Sequence, residues 1–139
     1  MIPTREILRA AYDAVIREID SARGSQQLTN AFYSKVGNAI FNACYRALEN
    51  SETAKVGLTA PKAIQVVSAP MGAGKTTFTF AFIMALVRLR QQNAGMSCGC
   101  VFLVEQRTKA DEMYRELSSL LPGRVAAWTT ERCRALPRL

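Results

Sequence analysis

The chain has 139 residues, 49% of them hydrophobic, which suits one domain with a real core and is too apolar for a disordered segment. Its formal net charge is +7, unevenly placed: residues 1–60 hold seven basic against six acidic residues, and residues 61–139 hold eleven against five. A basic second half suits a phosphate-bearing partner, and the absence of histidine excludes histidine catalysis and mixed Cys/His zinc sites.

The start, Met1-Ile2-Pro3-Thr4-Arg5-Glu6, lacks a basic-then-apolar leader pattern. The longest apolar run, residues 78–87, is about half of what a membrane helix needs. A cytoplasmic protein that makes no use of a membrane is therefore expected. Of the four cysteines, Cys98 and Cys100 are too close for the usual zinc spacing, so Cys44, Cys98, Cys100 and Cys133 are expected as reduced thiols.

The spacing predicts a first helix over 4–22. Ile7, Leu8, Ala11, Val15, Ile16 and Ile19 share a face, Asp20 falls with the polar set, and Thr4 is the N-cap. A second helix is predicted over 28–49, with Phe32, Val36, Ala39, Ile40, Ala43, Cys44, Ala47 and Leu48 at helical spacing. Asn50 and Ser51 are expected to end it. Residues 50–61, with Gly57 and Pro61, then read as a connector.

Beyond Pro61 the pattern changes. Residues 63–67 predict a short strand, 75–92 an apolar helix, and 101–104 a strand of the kind buried on both faces of a parallel sheet. Thr108 to Asp111 suggests a capping box opening a helix to about Leu121. Its inward residues would be Ala110, Met113, Tyr114, Leu117 and Leu120 or Leu121. Residues 125–128 predict a third strand. Strand and helix in alternation is the pattern of an α/β domain.

Between the first strand and its helix lies Ser68-Ala69-Pro70-Met71-Gly72-Ala73-Gly74-Lys75-Thr76-Thr77. Glycines at 72 and 74 let the backbone approach a phosphate closely, and the amides that follow form a nest for anionic oxygen. The helix start adds its positive dipole end. Lys75 then offers a charge to the outer phosphates, and Thr76 a hydroxyl to Mg²⁺. The loop pattern G-x-x-x-x-G-K-[ST] is met except at its first glycine, where Ala69 stands.

This segment resembles motif I of the superfamily-two helicases, often A-x-x-G-x-G-K-T. Residues 101–117, "VFLVEQRTKADEMYREL", resemble the family's motif Ia, an apolar strand running into a turn with arginine and threonine. The resemblance covers roughly residues 61–131. It implies an incomplete RecA-like P-loop domain at 61–139 with a parallel sheet, preceded by a helical segment at 1–60. It implies ATP and Mg²⁺ as cofactors, held by Pro70, Met71, Gly72, Ala73, Gly74, Lys75, Thr76 and Thr77. Lys75 and Thr76 would take the catalytic part, and Thr76 would be the Mg²⁺ ligand. Arg107 and Thr108 would hold the backbone of a single nucleic-acid strand without reading its bases. A weaker carry-over places further contacts at Trp128 to Glu131.

The expected function is the ATP-binding N-terminal portion of a DEAD/DEAH-like helicase that couples ATP hydrolysis to nucleic-acid remodelling. The acidic pair of that family does not occur after a strand here, so the remainder of a helicase, or a second RecA-like domain, is the expected partner. The alternatives are a nucleotide or nucleic-acid binding module without turnover, and a small P-loop ATPase or kinase using Glu105 as its carboxylate. A further alternative is an interaction domain that docks a partner through residues 4–49.

Overall fold

Thr4 fixes the start of the first helix. It is extended, with φ −64° and ψ 156°, and its Oγ1 accepts the Ile7 amide at 3.4 Å, as an N-cap should. Helix α1 then runs Arg5–Ala22. Its buried residues are Leu8, Tyr12, Val15, Ile16 and Asp20, one stripe at helical spacing. The structure is a computed structural model and describes residues 2–24, 27–55, 57, 65–70, 72–92 and 100–127.

Asp20 is buried because it turns the chain. Its Oδ1 accepts the Leu28 amide at 3.1 Å, which folds the short 3₁₀ turn Gln27–Thr29 back against α1. Asn30 opens the next helix: its Oδ1 accepts the Tyr33 amide at 3.0 Å. Helix α2 runs Ala31–Lys55. The expected stop at Asn50 and Ser51 does not occur, and within the added turn the Thr53 hydroxyl donates to the Glu49 carbonyl at 3.0 Å.

Helix α3 is Lys75–Gln92. Its apolar residues surround it rather than forming one stripe. Phe78, Phe80, Ala81, Phe82, Met84 and Ala85 are all buried, because α3 packs on both α1 and α2. The core is largely aromatic. Phe82 meets Tyr12 at 6.3 Å and Phe41 at 5.7 Å, both edge-on, and Tyr45 stacks on Phe41 at 6.1 Å. Truncating a fully buried ring such as Phe80 to alanine costs about 3–5 kcal/mol.

On the polar side, Arg5 and Arg9 lie over the rings of Phe41, Tyr45 and Tyr12. They also donate to Asn42 and Asn38 of α2. Arg88 of α3 reaches Glu18 of α1 through two bonds, at 2.9 and 2.5 Å.

These elements belong to one unit, Met1–Gly99. A second unit, Cys100–Leu139, contains helix α4, Arg107–Leu120. Within α4, Met113 and Leu117 are buried, Ala110 and Tyr114 half-buried, and Leu120 exposed. The capping box at Thr108 does not form: Gln106 is the N-cap, and its side chain makes no capping bond. Cys44 and Cys100 are free thiols, and Cys98 and Cys133 lie outside the described residues.

The expected α/β fold, a RecA-like domain with a parallel sheet, is not what the chain forms. Among the described residues there is no strand; the elements are four α-helices and the 3₁₀ turn. Residues 65–67, 101–104 and 125–127 carry no ladder, and residues 63, 64 and 128 of the predicted strands lie outside the described residues. The reason is physical. A run of Val, Phe and Leu becomes a strand only where neighbouring backbone completes its hydrogen bonds and a layer covers its faces. Here Val66, Val101 and Leu103 are 82%, 84% and 91% exposed. The apolar surface of α3, which a sheet was expected to cover, is covered by α1 and α2 instead. Among the described residues no helix is long and apolar enough to cross a membrane.

Candidate functional site

The glycine turn survives the change of fold. Residues 65–70 run without regular structure into it. The Ala73 amide donates to the Pro70 carbonyl at 3.2 Å, closing a tight turn. Gly72 and Gly74 both have left-handed backbones, φ +79° and +85°, which a side chain would strain. Ala73 between them is buried. Gly74 then accepts the first helical bond of α3, from the Phe78 amide at 2.9 Å. The amides just inside α3 are those a helix leaves without internal acceptors.

Lys75 is exposed and folds back over the turn, its Nζ donating to the Ala69 carbonyl at 2.9 Å. Its ammonium therefore stands over the segment that approaches the helix start. Thr76 is exposed beside it. Thr77 is half-buried, and its Oγ1 accepts from the Arg23 guanidinium at 3.4 Å. Thr79 donates to the Lys75 carbonyl at 2.7 Å, which tightens the first turn of α3. Met71, also assigned to the cradle, lies outside the described residues.

Three elements of the unit support this turn from below. Leu28 of the 3₁₀ turn and Phe78 of α3 pack against Gly74, and Gly37 of α2 packs against the far edge of the Phe78 ring. A Cβ placed on Gly74 would stand 3.2 Å from Phe78 Cε2 and 3.6 Å from Leu28 Cδ2. A Cβ on Gly72 would meet nothing within 4 Å, so that side of the turn faces open space.

The arrangement fits a phosphate group: two left-handed glycines, a helix start, and the basic side chains of Lys75 and Arg23 nearby. Arg23 was not among the residues read from sequence. It ends α1, some fifty positions upstream, and only its basic character was visible there. For Mg²⁺ the donor set is thin. Among the described residues no group of three or more Cys, Asp or Glu stands together. Thr76 would supply one ligand, with phosphate oxygens and waters supplying the rest, a coordination that Mg²⁺ commonly accepts.

Arg107, Thr108 and Glu105 belong to the second unit. Arg107 and Thr108 are the first two residues of α4, and both are exposed. Lys109 pairs with Glu112 at 3.9 Å along the same helix. Glu105 is exposed in irregular chain before α4, so it does not end a strand. Trp128 to Glu131 lie outside the described residues. Comparison with protein families, with characterised proteins and with solved structures gives no match.

Proposed function

We propose that the chain binds the phosphate groups of a nucleoside triphosphate, MgATP, at the turn formed by residues 69–77. The observation that carries this reading is the joining of Gly72 and Gly74, both left-handed, to the start of α3 beneath the Lys75 ammonium. Lys75 exchanges the Ala69 carbonyl for a phosphate oxygen, which offers it a full charge in place of a dipole. The amides opening α3 hold the remaining phosphate oxygens, and Thr76 joins the magnesium shell.

The wider role in this proposal is ATP-driven remodelling of nucleic acid, with Arg107 and Thr108 on the strand. It is supported by the helicase-like motifs at 68–77 and 101–117 and by the basic second half of the chain. The acidic pair for hydrolysis comes from a partner or a further part of the enzyme.

The test is thermal. A ligand specific to the folded state raises its melting temperature in proportion to the logarithm of its concentration. Saturating MgATP is expected to raise the Tm of the wild type and to leave Lys75→Ala unmoved. No rise in the wild type, or an equal rise in both, contradicts the proposal.

A further inference from the structure

Phe78 is 1% exposed and lies between two glycines. On one edge of its ring, a Cβ at Gly37 of α2 would stand 2.8 Å from Cε1 and 3.0 Å from Cδ1. On the opposite edge, a Cβ at Gly74 of the turn would stand 3.2 Å from Cε2 and 3.4 Å from Cδ2. Neither side of the ring therefore has room for an added methyl group. Gly37 is itself fixed from a third direction, since its carbonyl accepts the buried Tyr12 hydroxyl at 2.8 Å.

We infer that α2 sets the shape of the phosphate turn through the ring of Phe78, clamped between Gly37 and Gly74; this rests on the nucleotide reading above. Interiors are packed too densely for a ring in such a position to move without displacing its neighbours. A shift of α2 at Gly37 is passed by the ring to Gly74, and so to the amides that receive phosphate. Coupling of this kind is reciprocal, so phosphate binding at the turn also biases the position of α2. Phe78 and Gly37 are positioning residues: neither touches the nucleotide.

The experiment uses the full chain with Gly37→Ala, Phe78→Leu and the double variant. Each is followed by the Gly74 amide resonance without nucleotide and by calorimetric titration with MgATP. In Gly37→Ala the added methyl pushes the ring toward Gly74. The Gly74 resonance is expected to move, and MgATP affinity to fall about tenfold, the scale of one hydrogen bond to a charged group. The double variant, with leucine in place of the ring, is expected to recover most of that loss, which a merely structural role would not produce. A folded Gly37→Ala protein with an unmoved Gly74 resonance or wild-type affinity overturns the inference. If Gly37→Ala does not fold, Phe78→Leu alone decides. A shifted Gly74 resonance with weaker MgATP binding at unchanged helix content is then expected, and wild-type values of both overturn it. A wild type that binds no MgATP overturns the nucleotide reading and the binding half of the inference together. A wild type that binds MgATP, beside folded variants whose Gly74 resonance stays where the wild type has it, overturns the inference alone.

Discussion

The Nζ of Lys75 and the carbonyl oxygen of Ala69 stand 2.9 Å apart, so the lysine closes onto the residue that opens its own turn. Because this bond is exposed, it adds little to the fold. Lys75→Ala is expected to change unfolding free energy by no more than about 1 kcal/mol, within the net worth of one hydrogen bond. Urea denaturation checks this. A larger loss would mean that the lysine is structural, and that any loss of nucleotide response has a trivial cause.

The two left-handed glycines are expected to differ in their tolerance of alanine. Gly72→Ala meets open space and suffers only the backbone strain of φ +79°, about 1 kcal/mol. Gly74→Ala adds to a similar strain a contact of 3.2 Å with the buried Phe78 ring. It should cost clearly more, about 2–3 kcal/mol by the strain and overpacking ranges. Equal costs by thermal or urea denaturation would show that the ring yields freely.

The Glu18–Arg88 pair ties α1 to α3 and gives the fold an acid sensitivity. Its hydrogen bonds with Arg88 hold the Glu18 carboxyl below its ordinary value. A lowered folded-state value contributes stability that is present above the unfolded value and lost as pH falls through the folded one. Both side chains are substantially exposed, so the pair is worth about 1 kcal/mol or less. A double-mutant cycle with Glu18→Gln and Arg88→Met should give a coupling of that size at neutral pH. It should shrink as pH falls through the lowered Glu18 value, and in high salt.

Tyr12 gives the opposite sign at the alkaline end. Burial is the main cause that pushes its hydroxyl far above the ordinary 10.0; nearby Cys44 and Asp13 add to the shift, and Arg9 opposes it. Its raised value leaves stability intact below the unfolded value and removes it as pH climbs past 10. Ultraviolet titration should show one tyrosine that ionises only as the fold gives way, and Tyr12→Phe should remove that step. The same substitution loses the buried bond to the Gly37 carbonyl, at a cost of about 1 kcal/mol.

How far the sequence could be read depended on whether the deciding partner was local. Helices α1 and α3 follow from short-range signals: Thr4 as a cap, and the largely apolar stretch from Phe78 to Val87. The glycine turn was legible for the same reason, since Gly72, Gly74 and Lys75 are near neighbours. The strands were not, because a strand depends on chain elsewhere, and Val66, Val101 and Leu103 found none. Aromatic residues were under-read as well. Tyr12, Phe41 and Tyr45 form the centre of the core, yet none was placed on a buried face; the hydroxyls of both tyrosines find buried or half-buried carbonyls, those of Gly37 and Pro3. Asp20 was assigned to the polar face and is buried, because its partner is the Leu28 amide beyond the end of the helix. Arg23 was invisible as a site residue until the fold brought it to Thr77.

In the proposed function the turn from Ala69 to Thr77 grips phosphate through Lys75. Calorimetric titration of the wild type and of Lys75→Ala with MgATP, MgADP and AMP tests it most directly. Affinity is expected to fall in that order in the wild type, as phosphates are removed, with no measurable binding in the variant. Equal affinity for all three, or binding that survives the loss of Lys75, would contradict it.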